Sequence, residues 1–160
     1  MLLSDRRPWL PDLVGTLARL GLATVWLVSG GLKAVDPDQT YVAVRAYGVL
    51  PDSGVEVVAA LLPLVELALG VLAAVGVGTR AVAVASAVLL LVFVAGVTQA
   101  WARGLSIDCG CFGGGGAVPP GQTAYGVEIL RDAGFLVLAG WLIIAPRTLF
   151  SLDSRLGGRT

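Results

Sequence analysis

The chain has 160 residues, of which 56% are apolar and only 14% charged, with a mean hydropathy of +0.85; soluble domains have roughly 45–50% apolar and 25% charged residues. Eleven basic residues balance eleven acidic ones, and no basic run is long enough to follow a phosphate backbone, so nucleic acid is not an expected partner and the lipid bilayer is the expected solvent. There is no histidine and no methionine beyond Met1, which removes histidine-ligated haem or zinc and any Ser/His/Asp triad.

The expected fold is an all-α membrane protein, a bundle of four transmembrane helices forming a single domain over residues 1–160. Four spans of about 20 residues each use half the chain and leave only short loops. Span one covers about residues 13–32 and closes with Ser29-Gly30-Gly31 and Lys33. Arg19 inside it argues for a retained helix rather than a cleaved signal peptide, whose apolar region is about 7–15 residues. From Asp36 to Ser53 the chain is polar and carries Tyr41 and Tyr47, which suits an interfacial loop with room for a short amphipathic helix. Span two, about 55–77, contains Pro63 and Glu66. The turn Gly76-Val77-Gly78-Thr79-Arg80 leads straight into span three, about 81–101, so these two helices are expected to form a tight hairpin. Small residues at Gly70, Ala74 and Gly78 offer a surface for close helix packing. Residues 102–125 form the longest loop, with no regular element expected. Span four, about 126–145, opens with Glu128, Arg131 and Asp132, and the polar tail beyond Arg147 is expected to fray.

Lysine and arginine outside the spans set the orientation. Arg6, Arg7, Arg80, Arg147, Arg155 and Arg159 fall on one side, and Lys33, Arg45 and Arg103 on the other. The positive-inside rule therefore puts both termini in the cytoplasm and the 102–125 loop outside.

Three features carry possible chemistry. Glu66 lies near the bilayer centre, where a carboxylate costs at least about 2.5–3.5 kcal/mol unless paired or protonated. Arg19, roughly 12 Å deep in span one at 1.5 Å per residue, is the expected partner. Such a pair either fixes helix register or lines a cavity for a quinone or a proton path. Arg131 and Asp132 sit near the outer end of span four. If the loop folds back over the bundle, Arg131, Lys33 and Asp108 surround the cysteines, and a nearby cation stabilises a thiolate.

The third feature is Cys109-Gly110-Cys111, which contains both cysteines of the chain. An i, i+2 pair closes a disulfide only if a turn brings the alpha carbons within about 4.4–6.8 Å, and Gly110 frees that turn. A ring so small is strained and easily reduced, which suits an exchanging bond better than a structural staple. On the outer face of a membrane such a bond forms and persists. Metal binding is the rival reading, since two thiolates hold Cu(I) or half a zinc site. With no histidine and no further cysteine to complete a site, no metal is expected.

Ser29-Gly30-Gly31-Leu32-Lys33, Leu62-Pro63-Leu64-Val65-Glu66-Leu67-Ala68-Leu69-Gly70 and Asp108-Cys109-Gly110-Cys111-Phe112-Gly113 together resemble the MauE branch of the MauE/DoxX-like family of redox-associated membrane proteins. The resemblance implies a small four-helix protein of the bacterial plasma membrane, associated with methylamine utilisation. It also implies thiol chemistry outside the membrane with a thioredoxin-like partner, in which Cys109 and Cys111 are the exchanging pair. Quinone-linked thiol oxidoreductases of membranes usually relay electrons between two cysteine pairs. This chain has one, so either a partner supplies the second or the pair faces a quinone directly. The expected function is a membrane thiol/disulfide electron carrier. The alternative is a non-catalytic accessory subunit or assembly factor of a larger respiratory or oxidative-stress complex, with the cysteines as a static clip.

Overall fold

In the computed structural model, which describes residues 9–153, five α-helices and a two-stranded ribbon follow in the order α1 (Leu10–Val35), α2 (Pro37–Ala46), α3 (Asp52–Val75), α4 (Thr79–Ala102), β1 (Ile107–Asp108), β2 (Gly116–Ala117) and α5 (Tyr125–Ile144). The four expected spans correspond to α1, α3, α4 and α5, with every boundary within three residues. Three of these helices, α1, α3 and α4, are long and apolar enough to cross a membrane, with mean hydropathies of 1.5, 2.4 and 2.6. The chain is an all-α membrane protein with several spanning helices. The 20 residues of α5 include Glu128, Arg131 and Asp132, and it does not reach the same apolar standard.

The distribution of side chains is that of a protein solvated by lipid. Leu61, Leu64, Leu91 and Val92 are more than half exposed on the outside, while Glu66 and Ser86 are completely enclosed. The core runs along Ala18, Leu22, Trp26, Leu69, Ala73, Ala83, Leu90, Ala139 and Leu142. Its polar demands are met internally: the Trp26 indole donates to Ser86 Oγ at 2.9 Å, as backbone and side-chain donors must where no water is available.

The turn between α3 and α4 is as tight as expected, with Gly76 and Gly78 both left-handed at φ 74° and 59°. The extensive contacts, however, are α1 on α3 and α4 on α5, with α1 also packed on α5; α3 and α4 touch only sparsely. Small residues explain the first pairing. A Cβ on Gly30 would stand 3.0 Å from the Leu67 backbone nitrogen, and one on Gly70 would stand 2.9 Å from that of Leu27. The close approach thus pairs Gly70 with α1; Ala74 and Gly78 face outward and take no part in it.

Both ends of the described chain lie at one end of the bundle. Beyond α5 the chain docks there instead of fraying: the Leu149 amide donates to Thr16 Oγ1 at 2.8 Å, and the Gly78 and Thr79 amides donate to the Asp153 carboxylate at 2.9 and 2.8 Å. Partial burial opposes the charge on Asp153, but these amide bonds outweigh it and hold the carboxyl below the usual range. The rest of the tail, with Arg155 and Arg159, and the leader with Arg6 and Arg7 lie outside the described residues.

Where two helix backbones touch through glycine, added atoms force them apart. Gly70→Val is expected to lower stability by about 1–3 kcal/mol, the usual range for overpacking, in thermal unfolding of the detergent-solubilised protein. Ala74→Val, on the outward face, is expected to leave it unchanged.

Candidate functional site

At the other end of the bundle the loop after α4 does fold back over the helices, and it holds more order than expected. Ile107 and Asp108 pair antiparallel with Ala117 and Gly116. Tyr125, at the start of α5, fixes the first strand: its hydroxyl accepts from the Ile107 amide at 3.1 Å and donates to the Leu105 carbonyl at 2.6 Å. The backbone then turns sharply through Gly110, at φ 67°, and the Asp108 carboxylate accepts from the Gly110 amide at 3.1 Å. Gly110 also lies against α2, where a Cβ would stand 2.7 Å from Ala43 Cβ. No other residue satisfies both the turn and the contact.

The two cysteines face inward, each only 8% exposed, and their environments differ. Cys109 Sγ receives the Cys111 backbone amide at 3.2 Å and lies 3.9 Å from Arg131 Nη2. The Cys111 thiol also donates to it. That bond and the amide outweigh burial and the negative charge of Glu128, with Arg131 helping, and hold the Cys109 thiol below its ordinary range. Cys111 moves the other way: donation to Cys109, burial and the charge of Cys109 push it far above. The two thiols are therefore unequal, Cys109 being the more acidic. Arg131 is itself clamped, 3.1 Å from Asp132 Oδ1 and stacked over Phe112 with its guanidinium carbon 4.9 Å from the ring centroid.

The carbonyls of the motif are gripped from below. The Ser29 hydroxyl donates to the Cys111 carbonyl at 2.6 Å, and Lys33 Nζ donates to the same oxygen at 2.9 Å. Lys33 also reaches Ser29 Oγ at 2.6 Å and both oxygens of Glu66 at 3.0 and 3.1 Å. The Tyr47 hydroxyl donates to the Cys109 carbonyl at 3.1 Å; burial, with the nearby sulfurs, keeps that phenol protonated by raising it well above its ordinary range.

Lys33, Asp108, Gly110 and Arg131 thus come together around Cys109 and Cys111 as expected from the sequence. Arg19 does not join them, and it is not the partner of Glu66. It lies at the opposite end of the bundle, donating to the Ala73 and Ala74 carbonyls at 2.7 and 2.8 Å and to that of Leu149 at 3.3 Å. The reason is register. Helices α1 and α3 run antiparallel with Gly30 against Leu67 and Leu27 against Gly70, so Arg19 falls beside the last turn of α3 and Lys33 falls beside Glu66. Depth in the membrane was the wrong criterion; the direction of the chain decides the pairing.

Sequence reasoning did not assign roles to Ser29, Tyr47 or Glu128. Ser29 and Lys33 are four apart and share a helix face, as do Glu128 and Asp132, and that spacing was the available signal. Glu128 is buried, and donor atoms of Asp108, Cys109 and Glu128 lie within 4.8 Å of one another. Its Oε2 has no hydrogen-bond partner among the described residues. The same three groups form a donor set that a cation could use, but Arg131 already supplies the positive charge beside Cys109 Sγ.

Residues 11–145 match the family model described as Methylamine utilisation protein MauE. The chain belongs to the MauE family. One MauE relative, Methylamine utilization protein MauE of Paracoccus denitrificans, is 41% identical over 98 residues, covering 61% of this chain and 53% of that protein. The chain thus aligns with about half the length of this MauE relative. No solved structure matches.

The asymmetry of the pair has a measurable consequence. Because Cys109 is held below the ordinary thiol value of about 8.5, its alkylation rate should level off at a lower pH than that of a free thiol. Cys111 should stay unreactive across the same range. Rates of iodoacetamide labelling against pH, read by mass spectrometry, check this; Arg131→Gln should move the Cys109 inflection upward.

Proposed function

We propose that the protein is a membrane thiol/disulfide electron carrier in which Cys109 and Cys111 cycle between dithiol and disulfide by exchange with a thioredoxin-like protein outside the cytoplasm. The observation that carries this reading is the unequal pair: Cys109 Sγ, receiving the Cys111 amide at 3.2 Å beside Arg131, is the nucleophile, and Cys111 is the resolving thiol. Exchange runs through a mixed disulfide on Cys109 in either sense: the Cys109 thiolate attacks a partner's disulfide and the Cys111 thiol displaces it, or, in reverse, a partner's dithiol opens the Cys109–Cys111 disulfide, leaves the pair reduced and departs oxidised. A static clip would not require a cation and a buried carboxylate around one sulfur. Both sulfurs are buried, so exchange with a protein requires the glycine-rich segment between β1 and β2 to lift from α2.

The reading includes α5 as a fourth span. Val127, Leu130, Val137 and Ile144 point outward, more than two-thirds exposed, while Glu128 and Asp132 point inward, which supports a lipid-facing exterior for this helix too. Arg80 and Arg147 at the end that holds residues 9 and 153, together with Arg6, Arg7, Arg155 and Arg159 of the flanking sequence, support cytoplasmic termini and a cysteine loop on the outer face. The kinship with the Paracoccus protein supports service to methylamine utilisation.

Trapping tests this directly. Cys111→Ser in native membranes should accumulate a mixed disulfide through Cys109 with a thioredoxin-fold protein lacking its own resolving cysteine. Cys109→Ser should cut the adduct at least tenfold, and the double variant should give none. Equal trapping by all three, or cysteines uniformly oxidised whatever the redox buffer, would contradict the carrier reading.

A further inference from the structure

Beneath the cysteine turn, where α3 and α4 diverge, there is a cavity of about 170 Å³. Its walls are Val58 and Leu62 of α3, Phe93 and Gly96 of α4, and Ala43 and Tyr47 at α2, and its roof is Cys109, Gly110 and Cys111. The lining is almost wholly apolar, and the few polar groups are Lys33, Thr40 and the Tyr47 hydroxyl. Val49, Val58 and Val92 line the cavity and are also exposed on the outside of the bundle. Its mouth therefore opens sideways, onto hydrocarbon rather than water. A cavity of about 150 Å³ lined by apolar side chains holds one benzene ring. This one has room for a single six-membered ring with small substituents, and a chain attached to that ring can leave through the mouth into lipid.

We propose that this cavity binds the head ring of a membrane benzoquinone, which oxidises the Cys109 and Cys111 dithiol. The inference rests on the thiol/disulfide reading and names the electron acceptor for the same pair. A lipid chain would also suit apolar walls, but the roof argues for an oxidant: both members of the dithiol contribute to one wall of a site that a lipid-soluble molecule enters without the loop opening. In the reaction an S–S bond forms between the two sulfurs, and the quinone takes up their two electrons. It also takes up two protons, one from the Cys111 thiol and one released when Cys109 ionised, and departs as the quinol. Lys33, held in the wall by Glu66, would supply positive charge to the cavity as a bound ring gains electrons. The site explains how one cysteine pair suffices. A partner's dithiol reduces the Cys109–Cys111 disulfide from the water side, the quinone oxidises the resulting dithiol from the lipid side, and no second pair is needed to carry electrons between them.

The test uses the full-length protein, reduced and in lipid nanodiscs without oxygen, mixed with decylubiquinone. Wild type should convert one quinone to quinol for every two thiols lost, read by ultraviolet absorbance and by alkylation mass shift. Leu62→Trp, which fills the cavity, should slow this at least tenfold, and Gly96→Val, which presses on the Tyr47 ring, should slow it several-fold. Circular dichroism and thermal unfolding verify that each variant is folded. Oxidation of the variants at the wild-type rate would overturn the site. So would a wild-type protein that exchanges with a thioredoxin-fold protein but ignores the quinone, since that result leaves the carrier reading standing and removes this acceptor. Failure of both reactions would instead overturn the carrier reading, and this inference with it.

Discussion

A lysine and a glutamate inside an apolar bundle cannot stand alone, and the structure depends on how Lys33 and Glu66 are matched. Their 3.0 Å ion pair is buried, Glu66 wholly and Lys33 all but its face on the cavity, where each charge separately would cost several kcal/mol. Two oxygens of Glu66 account for part of the ammonium's hydrogen-bonding capacity, and Ser29 and the Cys111 carbonyl take the rest. One cluster thereby ties α1 to α3 and both to the cysteine turn. Because breaking a buried pair by removing one partner typically costs about 3–5 kcal/mol, the turn is anchored to the least negotiable contact in the bundle.

The opposite end uses a different device. Arg19 closes the open carbonyls at the end of α3, and Asp153 receives the free amides at the start of α4. A charged side chain is placed at each helix terminus with the sign that the helix dipole favours. That end is stapled by the chain itself, which leaves the cysteine end as the place where α3 and α4 separate and a cavity forms. The same sparse contact that makes the α3 and α4 hairpin unusual gives the dithiol a lipid-facing side.

Much of this was legible in the sequence, for reasons that separate cleanly. The positions of the helices followed from apolar run length, which is a local property, and each boundary moved by three residues or fewer. The grouping of Lys33, Asp108 and Arg131 around Cys109 and Cys111 followed from a loop that had nowhere to go but over the bundle. Pairing Glu66 with Arg19 failed because it compared depths without fixing which helices touch and in what register, and register here is set by Gly30 and Gly70, two glycines among 22. The docked segment after Arg147 was missed because polar sequence at a chain end looks the same whether it is free or capping a helix. Glu128 was visible only as one of three ionisable residues opening a helix; its position beside Cys109 depends on the ribbon that Tyr125 pins.

The central claim is that the Lys33 and Glu66 pair holds the cysteine turn against the bundle. Hydrogen–deuterium exchange over residues 105–118 of wild type and of Lys33→Met/Glu66→Met tests it, since the double change removes both charges while keeping their volume and so spares the helices an unpaired ion. The account predicts that amides of the turn exchange at least tenfold faster in the variant while those of α4 and α5 keep wild-type protection. Unchanged protection of the turn, with the pair gone and the helices intact, would contradict it.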